Sequence, residues 1–467
     1  MHAIKRVAMT IWVISMLLMP FASIPLVSSY TPGDEAEMFG HTFTEEYWTN
    51  DSITIEDDNN NEATFTASYV GKDNFSAFLI AFNKLVANDS REYILPYQLF
   101  GMHFLTPENQ EVFIGAIFAF LMVHNESYGD NNLPDVGNEK AWYILPISSL
   151  NPWNDVTPLV EPIPAEKLGE NHYRFGMRYV NMSARVVDAT SPGGFFASLL
   201  IPLVTVLFSE IVIEYDITID PSTGQVHAET LYTIGQVTRA RLFLDIFEVD
   251  PREIINETMA ISAVHYLSIF TSNYKVTNSG TGNVIQAPTA TTPINENISI
   301  KIGDDDERAF DIGLGRNYAL INESTTPWTT VSDDETALNA LLGARAGDFL
   351  LIAWQAPLSA FLFAHAAYAL SEQIRSTYAN VGELVHNAGT AFHSSQWWYG
   401  VSFSEWNGLR VQQDPVYVAY TNIQEPTSPT TDTGTTPPPE DGGAGGLVLL
   451  AIIAVGVLCL VAVMKRR

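Results

Sequence analysis

Cysteine is nearly missing from this chain: in 467 residues the one thiol is Cys459. Its place excludes a disulfide-stapled scaffold, and it excludes a thiolate nucleophile or Cys-ligated zinc anywhere upstream of it. Basic side chains are scarce as well, 23 Lys and Arg against 53 Asp and Glu. A net charge of −30 repels phosphate backbones and anionic headgroups, so no nucleic-acid partner is expected, while divalent cations are favoured. Motifs that announce catalysis are also missing: there is no G-x-S-x-G elbow, no G-x-x-x-x-G-K-[ST] phosphate loop and no H-E-x-x-H pair. A hydrolase built on two carboxylates about 5–10 Å apart leaves no such signature and stands as the alternative to a noncatalytic head.

What is present at the two ends bears on location. Leu447–Met464 is an uncharged apolar run followed by Lys465, Arg466 and Arg467. At ~1.5 Å per residue it makes a helix of about 27 Å, enough to span a bilayer with the basic end on the cytoplasmic side. Near the other end Lys5 and Arg6 precede the apolar run Val7–Met19, Pro20 and small residues as far as Ser29. That order is the pattern of an export signal, with cleavage expected after Ser29; an uncleaved N-terminal anchor is the alternative. The expected location is the cell membrane, single-pass, with the head outside and the C-terminus cytoplasmic. With the five basic residues of the two ends set aside, 18 Lys and Arg stand against 53 acidic residues, a charge of −35 on the head and stalk. Eight Asn-x-Ser/Thr sequons, at Asn50, Asn74, Asn88, Asn125, Asn181, Asn256, Asn297 and Asn322, are glycosylation candidates in an exported segment. The apolar run Phe195–Phe208 contains Pro202 and is short for a span, so it is expected in the core.

Between the ends the chain divides into a β-rich exterior domain over 30–330, a mixed α/β part of the head or second domain over 331–423, and a stalk over 424–446. The stalk is nearly all Pro, Thr, Gly, Asp and Glu and lacks the apolar content to fold. Alternation of apolar and polar residues predicts hairpins in SITIEDDNNNEATFTASYV, in IVIEYDITIDPSTGQVHAETLYTIGQV around Pro221–Gly224, and in YQLFGMHFLTPENQEVFIGAIFAFLMVH around 106–109. The second arm of the last is apolar throughout, which implies either burial on both faces or that it is not a strand. Repeated short strands predict a β-sandwich-like, mainly β head. After residue 330 the stretches ETALNALLGARAG and PLSAFLFAHAAYALSEQIRSTYA read as helices with DFLLIAWQA as a strand between them, and WWYGVSFSEWNGLRVQQDPVYVAYTNI reads as a final β pair turning at Asn407-Gly408.

The layout of signal, head, Thr/Pro stalk, single helix and Lys/Arg tail resembles archaeal-type surface proteins, and EVFIGAIFAFLMVH with GDNNLPDVGNEKAWYILP is similar to the choice-of-anchor S domain family. The resemblance implies a β-rich surface domain and brings no catalytic residues. Four constellations suggest ligands. Asp130, Asn132, Asp135, Asn138 and Glu139 place oxygen ligands in one loop, a calcium pattern without the full helix-flanked ligand order, so an Asx-rich turn is the alternative. Asp304, Asp305, Asp306 and Glu307 form a second oxygen-rich loop, with a solvated hairpin tip as the alternative, and His365, Glu383, His386 and His393 are the residue types that hold zinc, though with no spacing to fix them scattered histidines are the better account. Trp397, Trp398, Tyr399 and Trp406 form an aromatic cluster suited to an extracellular glycan or protein if exposed, and to the core if not.

Overall fold

In the computed structural model the described residues run from Glu37 to Ile423, excepting 333–396, the connections 126–140, 147–151, 189–202 and 286–296, and shorter gaps of one to five residues. The strands begin with β1 (Glu37–Met38), β2 (His41–Thr42), β3 (Tyr47–Glu56), β4 (Glu62–Lys72), β5 (Phe75–Val86), β6 (Glu92–Tyr93), β7 (Gln98–Leu105), β8 (Glu111–Asn125) and β9 (Ala141–Pro146). They continue with β10 (Leu159–Gly169), β11 (His172–Asp188), β12 (Val204–Asp220), β13 (Gln225–Ile234), β14 (Val237–Leu242), β15 (Phe247–Val249), β16 (Met259–Phe270) and β17 (Tyr274–Asn278). The last are β18 (Val284–Ile285), β19 (Asn297–Ile302), β20 (Glu307–Gly313), β21 (Tyr318–Asn322), β22 (Thr329–Ser332), β23 (Trp397–Phe403), β24 (Arg410–Gln413) and β25 (Val416–Tyr420).

Period-two patterning sets the strand faces. In β12, Ile211, Ile213, Tyr215, Ile217 and Ile219 are buried while Val212, Glu214, Asp216 and Thr218 between them are not. All pairings are antiparallel. One sheet runs β3-β4-β5-β7-β8-β16-β23. The other runs β10-β11-β12-β13-β25-β20-β19-β17, with β24 lying beside β25 on β13 and leading to β21 and β22. Strand β9 pairs with β8 on one side and β11 on the other, so it carries hydrogen bonding from the first sheet into the second.

The inner faces of the two sheets meet through aromatic rings. Phe100 of β7 stacks on Tyr215 of β12 at 4.1 Å, Phe104 faces Phe310 at 6.5 Å, and Tyr318 meets Phe403 edge-on at 5.3 Å. The outer faces differ. On the first sheet Phe65, Phe78, Phe82, Leu99, Phe113 and Met122 are buried on the side away from the second sheet, so β8 is buried on both faces, as its unbroken apolar sequence implies. On the second sheet the outer face carries a chain of ion pairs, Glu161–Arg178–Glu210–Arg410–Glu323, with the Arg410 guanidinium 4.6 Å from the ring centroid of Trp328.

The head is thus mainly β and antiparallel, and strands β23–β25 belong to the same network as the strands before residue 330. Among the described residues the helical structure is a single 3-10 turn, Pro251–Glu253. The α/β elements expected in 333–396 fall outside the described residues, and so do the export signal, the stalk and the apolar run Leu447–Met464. Among the described residues no helix is long and apolar enough to cross a membrane. The expected final hairpin is corrected. Asn407 and Gly408 do turn, with φ of 48° and 72°, but β23 pairs with β16 while β24 pairs with β13 and β21. The physical reason is Trp406. Its ring is fully buried beside Phe208, its Nε1 donates to Leu409 O at 2.8 Å, and this anchor turns the chain from one sheet into the other.

Candidate functional site

Strands β14 and β15 form a short hairpin on the upper half of β12, closed by Phe243-Leu244-Asp245-Ile246. Three successive non-glycine residues are left-handed: Phe243, Leu244 and Asp245 have φ of 48°, 60° and 63°. Left-handed turns match the twist of a hairpin, but each such residue with a Cβ costs about 1 kcal/mol, so the surroundings must hold it. They do so from several sides. Ile246 N donates to Leu242 O and Phe243 O, each at 3.2 Å, and Phe243 N donates to Leu203 O at 2.9 Å. Arg241 Nη1 donates to Asp245 O at 3.2 Å and to Pro152 O at 3.0 Å.

Beneath the turn the charges are paired. Arg185 reaches Asp245 at 3.0 Å, Arg239 reaches Asp155 at 2.8 Å and Glu248 at 2.7 Å, and Arg241 reaches Glu248 at 3.3 Å. The Arg239 and Arg241 guanidiniums lie 5.5 and 5.4 Å from the ring centroid of Trp153, which is fully buried. The hydrogen bond from Arg239 holds the carboxyls of Glu248 and Asp155 below their ordinary range.

Above this base the side chains are apolar and outside. Leu203 is 51% exposed, Phe243 58%, Leu244 40%, Ile246 67% and Phe247 58%. Phe243 and Phe247 meet edge-on with centroids 6.3 Å apart. Together the five present on the order of 500 Å² of mostly apolar surface, as large as the biggest patch a typical monomer shows. The turn offers no nucleophile and no proton donor. What it can do is lose water against an apolar partner. Nothing in RLFLDIFEV announces a turn, since its apolar residues fall in runs with no turn-forming residue between them other than Asp245. The signal that marks it is a turn with no Gly, Asn or Pro and with three large apolar residues among its four positions.

The sequence-predicted sites divide differently. Asp130, Asn132, Asp135, Asn138 and Glu139 lie outside the described residues, as do Asp304 and His365, Glu383, His386 and His393. In the second acidic loop Asp306 is taken by Lys275, and a hydrogen bond with Glu108 together with burial pushes the Glu307 carboxyl up to about 7. Among the described residues no three His, Cys, Asp or Glu side chains are grouped to hold a metal. Trp397, Trp398 and Tyr399 lie on β23, paired in register with Leu267, Tyr266 and His265. Trp406 is removed from the expected aromatic surface by its complete burial.

Of the sequons, Asn88 and Asn256 fall outside the described residues, and Asn50 lies on β3. Asn74 is exposed and donates to Asn422 Oδ1 at 2.8 Å, while half-buried Asn181 donates to Thr157 O at 3.1 Å. Asn125, Asn297 and Asn322 are half-buried, and Asn322 Oδ1 accepts from Ser324 N at 3.0 Å. Comparison with protein-family models, with curated proteins and with solved structures finds no match.

Proposed function

We propose that this chain is a membrane-anchored surface protein whose exterior head is a noncatalytic recognition module, docking through the turn at 243–247. The observation that carries the reading is the turn itself: Ile246, Phe243 and Phe247 each expose more than half their surface on a backbone that is strained and braced from below. Apolar side chains held out at such a cost fit a contact better than they fit a solvent-facing loop. The anchor is the apolar run Leu447–Met464 and the stalk 424–446 supplies reach, so the head is displayed at a distance from its own membrane. A tethered hydrolase gains no support from the described residues. The void between the sheets around Tyr232, His265 and Gln413 holds no more than about one water, and a substrate cleft is far larger.

Cells that display the full chain and cells that display the double variant Ile246→Asp, Phe247→Asp provide the test, as the fraction retained under flow on a monolayer of the same cells. Retention is expected to fall at least about tenfold in the variant, since two buried apolar side chains contribute well over 1.4 kcal/mol. Equal retention of the two, at equal surface level and equal melting temperature, would remove the turn as the contact.

A further inference from the structure

We infer that what the turn at 243–247 docks on is a lipid bilayer of low surface charge, an inference that rests on the docking reading above and names its partner. A second copy of the chain fits poorly. Two such turns meeting would bury about 1,000 Å² in all, below the range of about 1,200–2,000 Å² typical of stable interfaces. Each copy also carries a net charge of −30, which opposes their approach. A specific protein partner fits poorly for another reason. Protein interfaces surround an apolar centre with a polar rim that makes about one hydrogen bond per 100–200 Å². Here the charged groups flanking the turn are already joined to each other: Arg185 to Asp245, Arg239 to Asp155 and Glu248, Arg241 to Glu248.

A bilayer needs no such rim. Leu, Ile and Phe transfer favourably from water into hydrocarbon, and the edge-on pair Phe243–Phe247 with Ile246 makes a compact wedge that enters without opening a groove. Because Asp155, Asp245 and Glu248 balance Arg185, Arg239 and Arg241, the base brings no uncompensated charge to the headgroups. Exposed Asp250 and Glu253 just beyond β15, only partly offset by Arg252, oppose contact together with the acidity of the head, and they act most strongly against anionic lipid. Five apolar residues imply shallow insertion, about 5–10 Å into the boundary between headgroups and chains.

The test uses the full chain held in a phosphatidylcholine nanodisc fixed to a bead, offered free fluorescent phosphatidylcholine vesicles. Wild type is expected to capture them, Ile246→Asp, Phe247→Asp to capture at least about tenfold fewer, and vesicles with one fifth phosphatidylserine to bind more weakly, with the difference growing at low salt. In a Cys459→Ser background, an environment-sensitive dye on Ile246→Cys should shift to the blue when vesicles are added. Equal capture by wild type and variant, absence of a dye shift, or capture only of vesicles that themselves carry the protein would each overturn the lipid assignment. If vesicles are ignored while the variant still loses retention on cells, the lipid inference fails and the docking reading stands. If the variant loses neither, both fail.

Discussion

At the residue scale, two titrating groups pull stability in opposite directions. His265 lies between the sheets with its Nε2 2.7 Å from the Tyr232 hydroxyl, and burial holds its imidazole down to about 3. The folded state therefore binds fewer protons than the unfolded state below pH ~6.5, and His265 lends stability that is lost as pH falls from there toward about 3. Glu307 runs the other way. With its carboxyl raised to about 7 beside Glu108, the stability it lends is full below the ordinary carboxylate range and is lost as pH rises through about 7. Between pH ~5 and ~6.5 the two slopes oppose. Replacing Glu307 by Gln should leave the His265 slope exposed, so the stability of the variant relative to wild type rises steadily from pH 5 to 7 in urea titrations. A difference that stays constant across that range would refute the carboxyl pairing.

At the element scale, close strand packing makes some glycines indispensable for reasons of space. A Cβ on Gly176 of β11 would stand 2.5 Å from Ile213 O and 2.9 Å from Glu214 Cα, both backbone atoms of the adjacent β12. Gly176→Ala is expected to destabilise the head by about 1–3 kcal/mol, read as a lower urea midpoint with an unchanged slope. A neutral result would mean that the β11–β12 ladder is looser than its unbroken register implies.

The same scale shows why parts of the fold were legible. The turns at 106–109 and Pro221–Gly224 carry their chemistry locally: Asn109 and Gly224 take φ of 61° and 68°, and Asp220 Oδ1 accepts from Ser222 N at 2.9 Å. Alternation around them then specifies the strands. The double burial of β8 also follows from its lack of polar positions. What no local pattern carries is which sheet a strand joins. β9 bridges the sheets by pairing with β8 on one side and β11 on the other, and β23 and β24 part at Trp406 because β16 and β13, their partners, lie more than a hundred residues away. Trp406 itself shows the ambiguity of an aromatic residue in sequence, where ring size is visible and burial is not. The turn at 243–247 was missed because its conformation depends on bracing by Arg241 and Leu203 rather than on its own residue types.

At the scale of the whole molecule, the sheets assign their outer faces to different tasks. The second sheet carries the ion-pair chain Glu161–Arg178–Glu210–Arg410–Glu323, whose inner members Glu210 and Arg410 are buried, whereas the hairpin β14–β15 on β12 brings Phe243, Leu244, Ile246 and Phe247 out at its turn beside exposed Leu203. The proposed role needs that turn to be uncovered by the rest of the head and on the outer side of the membrane that anchors the chain. One labelling experiment reads both. With Cys459 replaced by Ser, Ile246→Cys should react with a membrane-impermeant maleimide on intact cells within minutes, while Phe208→Cys, in the core beside Trp406, stays unlabelled until the protein is unfolded. An Ile246→Cys variant that reacts only after lysis would place the head inside the cell, and one that reacts only after unfolding would show the turn covered; either result contradicts the account.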